Sequence, residues 1–488
     1  MKVALVSSGY ENLGVEYLSA ALKKDGHEVR FFFDPQTFGG GIFLRIDALN
    51  RRSRVGDRIV EQIATWRPGI VGFSCMTHNY RWSVEIARRV KRRLAAPVIF
   101  GGIHPTSIPA TVLTNDCVDM VAIGESEESF CRLLGDLPAN MGRADIAGIH
   151  FKRGDRIVAN PPAPLPARLD DLALPDKEMY FAKMPAFRRI DYSIMASRGC
   201  PYSCSYCCND ILKGLYESAI RRTRSVESVI TELRHAKQRY GVPRVFFYDE
   251  VFPFNRRWLE EFAARYKSEI GLPFKIYFHF KLADDRRVGL LREAGCDYII
   301  FGMQSASERI RADVCNRHYT NDEVRRAVAA CKAHDVQIEI DHILGLPFET
   351  DREYGEAVDF YRELRPDVIY SYWLTYYPGT SIVALARKAG LLPEDAEQRI
   401  NEGAESFYHK GTFVADRRKL LVYELLFDLV PFLPRRLHAR VSGWKRLLRV
   451  APKGYLTHFT LLFLASLRLR RNLFANNLRL TFSRKHVP

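Results

Sequence analysis

The stretch DYSIMASRGCPYSCSYCC, residues 191–208, joins a short apolar run to a loop with three closely spaced cysteines. The run DYSIMAS has the length and composition of a buried strand. Cys200, Cys204 and Cys207 follow it, with three and two residues between them. In parallel α/β folds the reactive groups lie at the carboxyl ends of the strands. The stretch therefore predicts a parallel sheet with a site at this strand end.

Further strand-like runs continue the same rhythm towards the C-terminus. Five of them alternate with mostly amphipathic segments: RVFFYD (244–249), FKIYFHF (274–280), DYIIFGMQ (297–304), VQIEIDHIL (336–344) and DVIYSYWLT (367–375). Six or more parallel strands in succession are typical of a full or partial barrel. We therefore expect an α/β domain, a partial (β/α)6 TIM-type barrel, over residues 190–385.

The N-terminal part of the chain shows a second alternating series. Its short apolar runs are VALVSS (3–8), HEVRFFF (27–33), IVGFSC (70–75), PVIFGG (97–102) and VDMVAIG (118–124), and helical patterns lie between several of them. Such alternation predicts a doubly wound, Rossmann-like parallel sheet, in which ligands bind over the carboxyl ends of the strands. We assign this domain to residues 1–150.

Two regions lack this alternation. Residues 151–189 are rich in proline, as in NPPAPLPARLDDLALPD, and are expected to be a linker lying over the surface. Residues 386–488 have helical patterns rich in Arg and Leu. The apolar core of their segment 454–474 is too short to span a bilayer, and an apolar run of roughly a dozen residues favours a buried helix over an interfacial one.

The overall composition is that of a folded globular protein with a basic surface. The chain has 488 residues and a formal net charge of +16, which permits contact with nucleic acid, anionic lipid or phosphorylated metabolites without selecting one of them. Its first residues, MKVALVSSGY, do not resemble a secretory leader, so we expect a reducing, cytoplasmic location and few disulfides. A membrane-associated location through the Arg-rich segment 433–474 is the alternative.

The three-cysteine loop indicates an iron-sulfur cluster more than a zinc site. Three thiolates on one tight loop can bind three irons of a cubane cluster and leave one metal corner open for another ligand. A structural zinc site would need a fourth Cys or His, and no second Cys-x-x-Cys pair follows downstream. Cys208, next to Cys207, is expected to point elsewhere.

The loop resembles the signature of the radical S-adenosylmethionine (SAM) superfamily, in which an aromatic residue, here Tyr206, precedes the last cysteine. The resemblance covers about residues 190–385 and implies a 4Fe-4S cluster that cleaves SAM to a radical. It implies further SAM contacts at two strand ends, although Asp249 and Glu250 could equally be helix caps. The implied contacts are Asp249 and Glu250 in FFYDEVF and Gln304 and Ser305 in GMQSAS, where Gln304 replaces the usual acid of the family.

Residues 1–150 resemble the cobalamin-binding domain of cobalamin-dependent radical SAM enzymes. The axial histidine of that domain is replaced by Glu11, so the resemblance implies a cobalamin without the usual histidine ligand. A lone His is more often structural than a ligand, which applies to both histidines near these motifs. The implied cobalamin contacts are Glu11 and Gly14, Ser74 and Met76, Gly101 and Gly102, together with His78 and His104.

The combined resemblance implies methyl transfer to an unactivated carbon or phosphorus of a small-molecule or lipid substrate. It also implies an electron donor such as flavodoxin or ferredoxin. A cyclase or rearrangement enzyme of the anaerobic Mg-protoporphyrin ester cyclase type has the same domain layout and is the alternative. A tRNA-modifying or nucleic-acid-binding protein is permitted by the charge, but we expect no nucleic-acid partner because no binding module follows the barrel.

Overall fold

Two parallel sheets organise the computed structural model, which describes residues 1–36, 54–184, 189–216, 221–403, 413–414 and 416–432. Each sheet is flanked by helices, as the alternating sequence pattern predicts. The predicted α/β class is confirmed, with a Rossmann-like sheet first and a partial barrel second.

The N-terminal sheet has seven strands in the order β2-β1-β3-β4-β5-β6-β7. Pairing is parallel from β1 to β5, and β6 and β7 are added antiparallel at one edge. The strands are β1 (Lys2–Ser8), β2 (Glu28–Asp34), β3 (Ile70–Ser74), β4 (Val98–Gly101), β5 (Met120–Ala122), β6 (Ile149–Arg153) and β7 (Arg156–Val158). The helices among them are α1 (Leu13–Lys24), α2 (Val55–Trp66), α3 (Tyr80–Lys91), α4 (Ile103–Ser107), α5 (Pro109–Leu113), α6 (Glu127–Gly135) and α7 (Leu137–Arg143).

Strand β1 shows why this sheet forms. Its residues Val3–Ser8 are all buried, as expected for a parallel strand that is covered on both faces by helices. Helix α1 begins where the Asn12 side chain accepts a hydrogen bond from the Val15 amide, a standard N-cap. Four residues separate the end of β1 at Ser8 from the start of α1 at Leu13. This short β1–α1 turn lies at the edge of the sheet where ligands bind.

The second sheet has six parallel strands in the order β8-β11-β12-β13-β14-β15, so each strand except β8 follows its sequence neighbour. They are β8 (Tyr192–Ile194), β11 (Val245–Phe247), β12 (Phe274–Phe278), β13 (Cys296–Gln304), β14 (Gln337–Leu344) and β15 (Val368–Trp373). The short antiparallel pair β9 (Ser197–Arg198) and β10 (Arg222–Thr223) lies beside the cysteine loop. The edge strands β8 and β15 are not paired with each other, so this is a partial barrel.

Helices of the second domain and of the segment just before it lie around this sheet. They are α8 (Glu178–Phe181), α9 (Cys208–Tyr216), α10 (Val226–Tyr240), α11 (Arg256–Arg265), α12 (Asp285–Ala294), α13 (Asn321–Ala333), α14 (Asp351–Leu364), α15 (Ser381–Lys388), α16 (Ala396–Asn401) and α17 (Arg417–Leu429). The last two, α16 and α17, lie in the region expected to be helical, and α15 crosses its predicted start at residue 386. One apolar core runs through both sheets, from Leu5 and Phe130 in the first to Ile194, Phe247 and Ile340 in the second.

The expectation of a surface linker over residues 151–189 is wrong in two places. Strands β6 and β7 pair onto the edge of the N-terminal sheet beside β5. This pairing provides hydrogen-bond partners for the backbone amides and carbonyls of that edge. Further along, Tyr180 is fully buried against the N-terminal sheet, with its ring 4.7 Å from that of Phe31, and the next residue, Phe181, packs on Tyr240 of α10 in the second domain. The composition of this segment is typical of a linker, but its few large side chains fill the space between the two domains.

The basic C-terminal segment proposed as a membrane anchor, residues 433–474, lies outside the described residues. Within the described ranges, the structure has no helix that is long and apolar enough to cross a membrane.

Candidate active site

A cavity of about 1040 Å³ lies between the two domains, where the carboxyl ends of both sheets face each other. The first sheet contributes the ends of β1, β3 and β4, and the second contributes the cysteine loop and the ends of β11, β12 and β13. Fourteen of the sixteen residues singled out from the sequence line it: Glu11, Gly14, Ser74, Met76, His78, Gly101, Gly102, Cys200, Cys204, Tyr206, Cys207, Asp249, Glu250 and Gln304. The fold therefore brings motifs from both halves of the chain to one place.

The three cysteines lie on the loop between β9 and α9 and all face this cavity. Cys207 immediately precedes helix α9, and its sulfur accepts a hydrogen bond from the Asn209 side-chain amide at 3.6 Å. A hydrogen bond from the Cys208 thiol lowers the pKa of Cys207 to about 6, while burial raises the pKa of Cys200 to about 11. Cys208 neighbours Cys207 but does not line the cavity, as expected for a cysteine outside the set of three.

Among the described residues, no group of three His, Cys, Asp or Glu side chains converges on a point that could hold a single metal ion. In a cubane cluster each cysteine binds a different iron, so the three sulfurs surround a larger object and need not converge.

Arg317 is a cavity residue that the sequence patterns did not indicate. Its guanidinium donates hydrogen bonds to the Cys204 sulfur at 3.2 Å, to the Tyr206 hydroxyl at 3.3 Å and to the Gly302 carbonyl at 2.6 Å. It follows the strand end of β13 by thirteen residues, in the segment CNRHY, where no local pattern marks it. Arg317 links the cysteine loop to β13.

The two carboxyl groups after β11 have different surroundings. Asp249 is fully buried, and its oxygens accept hydrogen bonds from the Ala196 amide at 3.1 Å and the Ser197 hydroxyl at 2.5 Å. Burial raises the pKa of Asp249 to about 7. Glu250 is exposed to the cavity, where enclosure raises its pKa. Asp249 therefore holds the start of the cysteine loop, and Glu250 presents its carboxylate to the cavity.

Gln304 and Ser305, at the end of β13, have separate environments. Gln304 has a left-handed backbone (φ 70°), and its side-chain oxygen is buried with no hydrogen-bond partner among the described residues. Ser305 lies outside the cavity lining and donates its hydroxyl to Glu349 at 2.6 Å. Of the two residues, only Gln304 has a polar atom at the cavity that is free to bind a ligand.

On the N-terminal side, the glycine pair after β4 brings backbone close to the cavity. Gly102 has φ +97°, and a Cβ there would lie 2.7 Å from the Cys75 carbonyl oxygen, so no larger residue fits. Ser74 accepts a hydrogen bond from the Asn12 side chain at 3.2 Å, which joins the end of β3 to the start of α1. This surface is built from small residues and backbone.

Glu11, at the position of the usual axial histidine, is held in a buried ion-pair cluster. Lys177, which is 1% exposed, lies 3.0 Å from a Glu11 oxygen and 2.7 Å from a Glu16 oxygen. Because Lys177 comes from the proline-rich segment, neither the motif nor the local pattern indicated this pairing. The Glu11 carboxylate is already neutralised within the protein.

The two histidines singled out from the sequence lie in different places. His78 lines the cavity beside Gly9, and burial lowers its pKa. His104 is fully buried outside the lining, where its Nδ1 lies 3.1 Å from the Thr77 hydroxyl and its ring packs on Tyr80. Burial lowers the pKa of His104 to about 4, so it is a neutral structural residue.

The loop after β5 joins the two domains beside the cavity. Arg198, from the cysteine loop, lies 2.7 Å from both Glu125 and Glu127, and Arg222 also pairs with Glu125. Gly124 packs against the Tyr216 side chain of α9, and the Glu125 amide donates to the Tyr216 hydroxyl at 3.0 Å. These contacts orient the cysteine loop towards the N-terminal sheet.

Two protein families match the two halves of this arrangement. The model of the B12 binding domain matches residues 2–134, and that of the radical SAM superfamily matches residues 194–361. The chain is a radical SAM enzyme with a B12-binding domain. The predicted cofactors, a 4Fe-4S cluster, SAM and cobalamin, are those of these two families, and that prediction is confirmed.

Similar proteins align with most of the length of this chain. An uncharacterized methyltransferase of Pyrococcus horikoshii is 26% identical over 386 residues, which cover 78% of this chain and 79% of that protein. The anaerobic magnesium-protoporphyrin IX monomethyl ester cyclase of Rubrivivax gelatinosus is 26% identical over 404 residues, covering 78% of this chain and 68% of that protein. The fold resembles that of the methyltransferase TsrM from Kitasatospora setae with cobalamin and a [4Fe-4S] cluster bound (TM-score 0.61, 17% identity, 92% of this chain and 99% of that chain).

The residues of this radical SAM chain fit the cofactors. Three thiols of one loop line one end of the cavity, where they can bind iron as thiolates. The opposite wall presents glycine backbone, which leaves room for a large planar ligand. Gln304 and Glu250 add polar groups between the two walls.

Proposed function

We propose that this protein is a cobalamin-dependent radical SAM methyltransferase that acts on a small molecule. The observation that carries the proposal is the single cavity shared by the cysteine loop and the B12-binding strand ends, because methyl transfer needs both cofactors to reach one substrate. When bound, the cluster and SAM supply a carbon-centred radical, and the corrin supplies the methyl group.

The side chains of the cysteine loop and of the loop after β11 have proposed tasks. Cys200, Cys204 and Cys207 bind three irons of the cluster, and Tyr206 packs beside them. Glu250 accepts hydrogen bonds from the methionyl ammonium of SAM, since a cation favours a carboxylate partner. Asp249 is proposed to act through the loop, because both of its oxygens already accept hydrogen bonds from residues 196 and 197.

The N-terminal residues are proposed to support the corrin without a histidine ligand. Gly14, Ser74, Gly101 and Gly102 offer a surface to which a ligand can approach closely, and Met76 and His78 extend that surface at the rim. The Glu11 carboxylate is paired with Lys177, so we infer that it keeps the turn in place and does not bind cobalt.

The first test combines cofactor analysis with isotope transfer. Anaerobic reconstitution with iron, sulfide and hydroxocobalamin is expected to load about four irons and one cobalt per chain. With a reductant and SAM that carries a deuterated methyl group, label is expected in a compound from a small-molecule cell extract, detected by mass spectrometry. Replacing Cys200, Cys204 and Cys207 together by Ala should abolish iron binding and SAM cleavage, whereas Cys131→Ala, in α6, should change neither.

A radical cyclase is the second candidate, supported by the similarity to the Rubrivivax gelatinosus cyclase. The same experiment separates the two functions. SAM cleavage with a new product that lacks the label would contradict methyl transfer and favour cyclisation. An active triple cysteine variant would contradict both.

The chemistry of this family indicates the general class of substrate and the need for an electron donor. Radical SAM enzymes act on small molecules and need an electron donor. We propose flavodoxin or ferredoxin as that donor. A lipid substrate bound through residues 433–474 remains a prediction, and liposome co-sedimentation with and without this segment is its test.

A further inference from the structure

The part of the cavity bordered by β14 and β15 contains an acidic side chain that the cofactor assignments do not use. Asp341, on β14, pairs in register with Gly302 of β13 and Tyr370 of β15, and its side chain lines the cavity. Asp341 is 8% exposed, and its Oδ1 atom has no hydrogen-bond partner among the described residues. A buried carboxyl oxygen without a partner is costly, and an absent ligand is one explanation for it.

A second carboxyl group increases the negative character of this pocket. Glu339 lies two residues earlier on β14, so its side chain faces the same way as that of Asp341. Glu339 accepts a hydrogen bond from the Tyr298 hydroxyl and interacts directly with Asp341. Burial and the neighbouring, half-buried Glu339 carboxyl raise the pKa of Asp341, so the pair favours a single negative charge unless a cation lies beside it.

The nearest cation of the protein is directed elsewhere. Arg317 is close enough to Asp341 to stabilise its charge, but the hydrogen bonds of its terminal nitrogens in the described structure go to Cys204, Tyr206 and Gly302. The pocket is therefore an acidic site inside a protein whose net charge is +16.

Aromatic rings complete the pocket wall on three strands. The rings of Tyr370 and Tyr372, on β15, are 4.9 Å apart, and those of Tyr248 and Tyr277 are 5.9 Å apart and perpendicular. All four rings line the cavity. The faces of aromatic rings are electronegative and attract organic cations, most strongly where water is excluded.

We propose that Asp341 and the rings of Tyr248, Tyr277, Tyr370 and Tyr372 bind a protonated nitrogen of the substrate, with Glu339 adding negative charge beside Asp341, so that the substrate is an organic ammonium or amidinium compound. This inference rests on the proposed function, since it names the substrate class of that enzyme. It draws on the unpartnered carboxyl oxygen and the surrounding rings, which would both be left unused by an anionic or purely apolar substrate.

The test uses the reconstituted holoenzyme with SAM and no reductant, so that binding is measured without turnover. The probes are benzylammonium and its neutral counterpart benzyl alcohol, and their dissociation constants are measured by ligand-detected NMR. Wild type is expected to bind benzylammonium at least tenfold more tightly than benzyl alcohol. Asp341→Asn, which keeps the shape of the side chain, should abolish this difference, whereas Asp335→Asn, whose side chain is 99% exposed on the outer surface, should retain it.

Two results would overturn the proposal. One is equal binding of both probes by wild type, or an unchanged preference in Asp341→Asn. The other is a loss of SAM affinity in Asp341→Asn as large as the loss of benzylammonium affinity, because Asp341 would then belong to the SAM site.

A second variant protects the test against misfolding. Tyr248 is 53% exposed and faces the cavity, so Tyr248→Leu removes a ring with little change to the core. It is expected to weaken benzylammonium at least threefold and to leave benzyl alcohol unchanged; equal weakening of both probes would count against the aromatic part of the pocket. Because no turnover is involved, failure of methyl transfer and failure of cation binding can be observed separately.

Discussion

At the scale of single residues, Arg317 is the cavity residue with the most direct effect on the cysteine loop. Its hydrogen bond to the Cys204 sulfur places positive charge beside a proposed cluster ligand, and such bonds raise the reduction potential of iron-sulfur clusters. Arg317→Gln is expected to lower the cluster midpoint potential by about 60 mV, a factor of ten for a one-electron couple, with unchanged iron content. A redox titration followed by EPR measures this shift. Arg292→Gln, on α12, is the control, and a potential equal to that of wild type in Arg317→Gln would contradict the role.

At the scale of elements, helix α17 packs on β15 through a buried acid. Glu424 accepts a hydrogen bond from the Trp373 indole at 3.1 Å, and burial raises its pKa to about 7. The folded state therefore binds this proton more tightly than the unfolded chain, so stability is lost as the pH rises from about 4.5 to above 7. Glu424→Gln keeps an acceptor and removes the charge, and should raise the free energy of unfolding by about 1–2 kcal/mol at pH 8 but not at pH 4.

Urea unfolding at the two pH values measures the contribution of Glu424. Glu293→Gln, exposed on α12, is the control and should behave as wild type at both. An equal change at pH 4 and pH 8 in Glu424→Gln would show that the effect comes from packing and not from ionisation.

At the scale of the whole molecule, the contact between Gly124 and Tyr216 sets how the two domains face each other. Gly124 has φ +67°, and a Cβ there would overlap the Tyr216 hydroxyl. Gly124→Ala is therefore expected to move the cysteine loop away from the N-terminal sheet and lower methyl transfer at least tenfold while SAM cleavage is retained, since small displacements of reacting groups cost about 100-fold in rate. Gly154→Ala carries a similar backbone strain (φ +57°), but its added Cβ would have no atom of the described residues within 4 Å. This control variant should behave as wild type. Methyl transfer and 5'-deoxyadenosine formation, measured by mass spectrometry, test this, and a parallel loss of both would contradict it.

The sequence patterns predicted the strands and the motifs at their ends more reliably than the roles of individual side chains elsewhere in the cavity. The run DYSIMAS and the cysteine spacing located β8 and the loop after it, because both depend on residues adjacent in the chain. Lys177 and Asp341 were missed because their roles depend on partners: Lys177 is surrounded by Glu11 and Glu16, more than 160 positions away in sequence. For His104 the sequence favoured a structural role but left a cobalamin contact open, because its motif position does not reveal which way the ring points.

The sequence by itself determined two parallel sheets, the cysteine loop and the pairing of a radical SAM domain with a B12-binding domain. Short-range periodicity and motif spacing are sufficient for the sheets and the loop because strands and tight loops are built from neighbouring residues, whereas the pairing of the two domains was implied by the resemblance to known families. Only the tertiary structure decided that both sets of strand ends line one cavity, that Lys177 neutralises Glu11, and that Asp341 lies unpartnered among tyrosine rings. These features depend on burial and on long-range packing, which bring together groups whose separation in sequence carries no local signal.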